Sequence, residues 1–196
     1  MAEDEERPTL RQRTRRRAYE EITTAAMGLF LERGFPETTV DEIAAAAGIS
    51  RRSFFRYFGS KEDVVIDLLV ADGDRLLLEL ERQPEDVDVW TALTRALFAL
   101  EETTADPERL LAVAQMMYRT PSLRARSIEK HLRWYDVLAP EVRRRLGDDA
   151  GSSLRARAIV GSFVTCLDVA GEAWVRDPAA APLRAYVDDA LSAVRS

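Results

Sequence analysis

The sequence predicts an all-α protein, with an N-terminal three-helix domain of the helix-turn-helix type followed by a larger helical domain. Three observations carry this expectation. No segment alternates apolar and polar residues with the period of two that a half-buried strand requires. Apolar residues instead recur at spacings of three and four through most of the 196-residue chain. Capping residues, Gly and Pro punctuate those stretches at helical lengths, as in Thr39…Gly48, Asp106-Pro107 and Thr120-Pro121. The expected boundaries are a disordered charged arm over 1–12, the three-helix domain over 13–59 and the larger domain over 60–196.

Residues 1–12 are charged and aperiodic, which predicts no fixed structure. The cluster Arg11, Arg13, Arg15, Arg16 and Arg17 opens the first helix, expected from Thr14 to Arg33 and stopped by Gly34. Thr39 and Glu42 form a capping box that starts a second helix, which Gly48 closes in the left-handed conformation. Ser50 caps a third helix with Phe54 and Phe58 on its inner face. Its outer face carries Arg51, Arg52, Ser53, Phe55, Arg56 and Tyr57, a surface suited to a polyanion. Two short helices, a Gly turn and an arginine pair make the recipe for a helix inserted in the major groove, where the planar guanidinium grips guanine or phosphate. A solvated basic helix is the plainer alternative.

The net charge of −6 opposes this reading only until it is located. Residues 7–58 hold ten Arg against six acidic residues, while the remainder is acidic. A local basic face suffices for phosphate binding, and Arg15 and Arg16 are expected to lie along phosphates.

Gly59 is expected to end the third helix, and Ser60 with Asp63 to cap a fourth that runs to about Arg82. A fifth begins at Asp86 or Asp88. A sixth begins at Asp106-Pro107 and a seventh at Thr120-Pro121, with Pro140 kinking or restarting the latter. The segment 152–176 is apolar nearly all round, so it must be covered on every side. With the amphipathic stretch 182–194 it is expected to form a two-fold four-helix contact through Ala158, Gly161, Ser162, Gly171, Val175, Val187 and Leu191, making a homodimer. A central helix in a monomeric bundle is the alternative.

No run of about 18 apolar residues is apparent, and MAEDEERPT has no secretory h-region, so no membrane association and a cytoplasmic location are expected. Cys166 is the one cysteine and His131 the one histidine; neither a metal site, a cofactor nor catalysis is expected.

The stretch TTVDEIAAAAGISRRSFFRYFGSKEDV resembles the TetR family of transcriptional regulators, a resemblance that covers residues 14–70. It implies that Arg51 and Arg52 read bases and that Thr39 and Ser53 hold phosphates. Ser50, Phe55, Tyr57 and Lys61 complete the DNA-facing set on double-stranded, inverted-repeat DNA. Phe55 departs from the tyrosine usual in that family and brings no hydroxyl. The resemblance further implies an effector pocket among Trp90, Phe98, Met116, Met117, Tyr118, Trp134, Tyr135, Phe163 and Asp168, where composition alone suggests a plain core.

Segments such as VWTALTRALFALEE and RWYDVLAPEVRRRL also resemble regulators of the mycofactocin-regulator type, which implies an acyl-CoA-like ligand. Arg119, Arg124, Arg126, Lys130 and Arg133 are then candidates for its charged end, while Asp168 and Glu172 serve either pocket or interface. The expected function is a ligand-responsive repressor. A ligand-dependent activator is one alternative; a helical acyl-CoA-binding protein with a decayed DNA-binding head, suggested by Phe55, is another.

Overall fold

The structure is a computed structural model that describes residues 9–102, 106–147 and 149–195. Among these residues it holds nine α-helices and no strand: α1 (Leu10–Arg33), α2 (Val40–Ala46), α3 (Arg51–Tyr57), α4 (Lys61–Glu81), α5 (Val89–Glu102), α6 (Pro107–Arg119), α7 (Pro121–Leu146), α8 (Ser152–Arg176) and α9 (Leu183–Arg195). Two compact units divide between Val65 and Ile66, one turn inside α4 rather than at Gly59 before it.

In the first unit, Ile22, Ala26 and Phe30 of α1 are buried with Phe35, Ile43, Phe54, Phe58, Val64 and Val65. The Tyr19 and Phe58 rings lie 4.7 Å apart, and Phe54 and Phe58 5.6 Å. These inward aromatics fix the roll of α3 and so decide which of its residues face out. Helix α1 starts four residues earlier than expected. Thr9 is its N-cap, accepting from Gln12 N at 3.3 Å while Gln12 Oε1 accepts from Thr9 N at 2.6 Å. Residues 10–12, expected in the disordered arm, are therefore helical, because adding a turn to a long helix needs no new nucleus; residues 1–8 lie outside the described set.

The capping box of α2 forms as its spacing predicts. Thr39 N donates to Glu42 Oε2 at 2.8 Å and Glu42 N to Thr39 Oγ1 at 3.3 Å. Gly48 adopts φ +66°, the left-handed turn between α2 and α3. Thr39→Ala should cost about 1 kcal/mol of stability in a denaturant melt. Gly59 has a different use from the one expected. Phe58, with φ −132°, ends α3 by turning extended, while a Cβ on Gly59 would stand 2.9 Å from the Asp63 carboxylate that caps α4.

In the second unit α8 is the axis, packed on α6, α7 and α9. Val160, Phe163, Val164 and Ala170 are buried with Leu93 and Leu97 of α5, Leu138 and Val142 of α7, and Val187 and Leu191 of α9. Helix α8 is long and apolar enough, by length and composition, to cross a membrane, which corrects the expectation that no such stretch exists. Its small and apolar residues serve instead as the centre of the unit. Pro140 lies inside an uninterrupted α7, on an exposed face where solvent can satisfy the carbonyl its ring leaves without a donor.

The end of α4 is closed from α7. Arg145, with a side chain only 2 % exposed, donates to Leu80 O at 2.6 Å, Gln83 O at 2.9 Å, Pro84 O at 3.0 Å and Glu141 Oε1 at 2.8 Å. The three carbonyls belong to the last turn of α4 and the chain that leaves it.

Candidate functional site

Ser50 accepts from Ser53 N at 3.1 Å and so sets the first turn of α3, which presents Arg51 and Arg52 outward. Arg51 pairs with Asp41 at 2.8 Å and lies 5.6 Å from the centre of the Phe55 ring. Arg52 is exposed and has no ion pair or hydrogen bond among the described residues. Phe55 is 45 % exposed, with Phe54 fully buried beneath it. The end of α3 and the start of α1 form a groove lined by Arg11, Arg15, Arg56 and Tyr57, with the Arg56 guanidinium 5.3 Å from the Tyr57 ring. Arg56 belongs to the outer face of α3 and Arg11 to the basic cluster that opens α1, both read from the sequence as suited to a polyanion.

Arg16 points elsewhere, pairing with Glu20 at 2.8 Å on a fully solvated face. Lys61 is the clearest departure. Its ammonium donates to Phe35 O at 2.7 Å, Thr38 O at 2.8 Å and Pro36 O at 3.3 Å, above the Phe35 ring. With its three donors engaged, Lys61 pins the loop before α2. Ser53 and Tyr57 are half-buried on α3, and Thr39 is exposed with its hydroxyl on Glu42.

The second unit holds a partly open cavity of about 200 Å³. Its walls come from α4 to α9 and are mostly apolar, including Leu97, Val113, Met117, Leu167 and Trp174, with Asp72, Glu101 and Lys130 as the charged groups. Of the expected pocket residues, Met117, Tyr118 and Trp134 line it. Phe163 is fully buried in the core, Trp90 and Phe98 pack against that core, Tyr135 covers Gly161, and Met116 is half-buried outside the lining. Asp168 stands behind the wall, accepting from the Tyr118 hydroxyl at 3.3 Å. Helical periodicity marks these aromatics as inward but cannot tell a core position from a lining one.

Trp134 fits because α4 has no side chain at Gly73, where a Cβ would lie 2.6 Å from the indole. Its N–H donates to Leu69 O at 2.8 Å. Burial pushes the Lys130 ammonium below the ordinary lysine range, against the opposing pull of Asp168 and Asp72. Burial likewise raises Asp72, Glu101 and Tyr118. The neighbouring His131 imidazole, 3.6 Å away, and Lys130 hold Asp168 below the usual carboxylate range. Glu172 is tied to Arg124 at 2.6 Å and also to Arg176.

Several expected dimer residues are occupied within the unit. Gly171 and Val187 line the cavity, Tyr118 lying so close that a Cβ on Gly171 would meet its hydroxyl at 2.5 Å. Val175, Val187 and Leu191 are buried in the unit's own interior. Gly161 and Ser162 are half-buried and Ala158 is exposed. The open face of α8 runs instead through Leu154, Ala158, Thr165 and Val169, with Leu154 77 % and Val169 57 % exposed. The small residues admit a ring of the same unit, where a second helix was expected.

Comparison with known proteins matches residues 22–68 to the family of bacterial regulatory proteins, tetR family, and residues 87–196 to the MftR C-terminal domain. The transcriptional regulator TcmR of Streptomyces glaucescens is 32 % identical over 174 residues, covering 85 % of this chain and 77 % of its own. The chain is a TetR-family transcriptional regulator. MftR of Mycobacterium tuberculosis is 31 % identical over 165 residues, with 80 % of this chain and 79 % of that protein covered. Among solved structures, the TetR-family repressor FadR of Thermus thermophilus in complex with lauroyl-CoA aligns with a TM-score of 0.62 at 26 % identity, over 89 % of this chain and 91 % of that one. The triclosan complex of SmeT, at 21 % identity and a TM-score of 0.60 over 90 % and 91 %, shares the fold. These matches place DNA binding in the helix-turn-helix unit of this TetR-family regulator and make the helical second unit an MftR-type domain.

Proposed function

We propose that this regulator is a homodimeric repressor, released from an inverted-repeat operator when an effector with an apolar acyl chain fills the cavity of the second unit. The observation that carries this is the course of α4. Lys61 anchors its first turn in the reading unit, and Leu69 and Asp72 of the same helix line the cavity. An occupant that displaces those two side chains acts on the helix that leads to α3, and it lowers operator affinity by its preference for the displaced state.

Arg51 and Arg52 would read bases, with Arg11, Arg15, Arg56 and Tyr57 along the phosphates. Pairing through the open face of α8, centred on Leu154, Ala158, Thr165 and Val169, would supply two reading helices about 34 Å apart. The acyl-chain assignment draws support from the MftR-type domain and the lauroyl-CoA complex of the FadR relative.

The test is titration of an inverted-repeat fragment from the protein's own upstream region, at fixed salt, with and without a long-chain fatty acid, supplied free or as its CoA thioester. Selective binding that is lost on addition is the expected result. Binding that appears only after addition would replace repressor by ligand-dependent activator, and absence of selective binding would sink the regulator mechanism.

A further inference from the structure

The charged groups of the cavity are not equally partnered. Asp72 receives Arg75 at 3.1 Å. Asp168, behind the wall, receives the Tyr118 hydroxyl at 3.3 Å and faces His131. Glu101 has Arg184 as its compensating charge. Of the other cationic candidates of α6 and α7, Arg124 pairs with Glu172, Arg126 with Glu129 and Arg119 with Val175 O, while Arg133 is exposed and outside the cavity lining. Lys130 differs from all of these. Its ammonium has no hydrogen-bond acceptor and no carboxylate within ion-pair distance among the described residues, and it lies 5.5 Å from the centre of the Trp134 ring.

A half-buried ammonium at a mostly apolar cavity wall, with no acceptor in reach, is poorly solvated, and an incoming anion supplies the missing pair. We propose that Lys130 is the anchor for the acid group of the effector, and that the cavity takes a free carboxylic acid with an apolar chain. This rests on the reading of the cavity as the effector site.

The single charge follows from the same inventory. The cavity wall carries one unpartnered cation and two carboxylates, Asp72 and Glu101, so each further negative charge on a head group meets more repulsion than a monoanion does. The chain then lies along Leu97, Val113, Met117, Leu167 and Trp174. A neutral alcohol of equal length fills the same space and leaves the ammonium unpaired.

The experiment is calorimetric titration of the full-length protein with decanoate, 1-decanol and decanoyl-CoA. Wild-type protein is compared with Lys130→Met and Lys130→Arg, and operator binding is measured in parallel. Decanoate should bind wild-type protein at least about tenfold more tightly than 1-decanol. Lys130→Met should abolish that preference while melting no lower than wild type, since it removes a charge that has no ion pair to lose. Lys130→Arg should keep it.

Equal affinity for acid and alcohol, no binding of decanoate, or an unchanged decanoate affinity in Lys130→Met would each overturn the inference. Operator release by decanoyl-CoA, with Lys130→Met responding like wild type, would also overturn it while leaving the repressor mechanism standing. Loss of operator recognition by the wild type would be a failure of that mechanism and would not bear on the acid-to-alcohol comparison.

Discussion

Alanine at both Arg51 and Arg52 is expected to lower operator affinity by at least about 100-fold while the thermal melt stays where it is. Each guanidinium that grips a base contributes about 1–3 kcal/mol, and a two-fold dimer loses each contact twice. Stability is spared because both side chains are solvated. The Arg51–Asp41 pair, whose side chains are each 62 % exposed, contributes at most about 1 kcal/mol. The measurement is operator binding across a salt series, where the slope should flatten if either arginine also contacts phosphate. An unchanged affinity would mean that α3 does not read DNA.

Arg145→Leu should produce the largest loss of stability, about 3 kcal/mol or more, and lower the melting temperature by about 10 °C. The substitution strips donors from the carbonyls of Leu80, Gln83 and Pro84 together, and leaves the buried Glu141 to Arg144 alone. Lysine at the same position should recover only part of the loss, because a compact ammonium cannot reproduce the span of the planar fork.

Acid should narrow the gap between wild type and variant. Arg144 first, and Arg145 with it, hold the Glu141 carboxyl below the usual glutamate range. The stability linked to it is therefore present above that range and is lost as pH falls through the lowered pKa. A variant that melts with the wild type at neutral pH would show that water replaces all four bonds.

Neither Arg145 nor its acceptors could be chosen from the sequence, and the reason separates the legible from the illegible parts of this molecule. Caps are local: Thr39 with Glu42, Ser50, Ser60 with Asp63, and Asp106 before Pro107 all stand within a few residues of what they satisfy, so these helix starts were readable. Arg145 meets partners more than sixty residues away in sequence. The inward face of α3 was readable because Phe54 and Phe58 share a helical stripe. The bonds that Lys61 makes to the loop over Phe35–Thr38 could not be read, because the sequence does not reveal the path of that loop.

The cavity was the least legible part. Asp72 and Glu101 look like solvated positions of amphipathic helices, and Leu97 and Val113 like ordinary core. Gly171 and Val187 looked like places for another protomer, because a small side chain announces a close approach without naming what approaches. Tyr118 and the cavity itself do so here.

The indole of Trp134 touches the cavity with one face and gives its only N–H to the α4 carbonyl of Leu69, a fit that Gly73 allows. Indole emission depends on the polarity and hydrogen bonding around the ring, so this residue doubles as a native fluorophore placed on the proposed allosteric helix. Its wavelength should track the state of α4 in unlabelled protein, and substituting phenylalanine at Trp90 and Trp174 would isolate that signal for stopped-flow work.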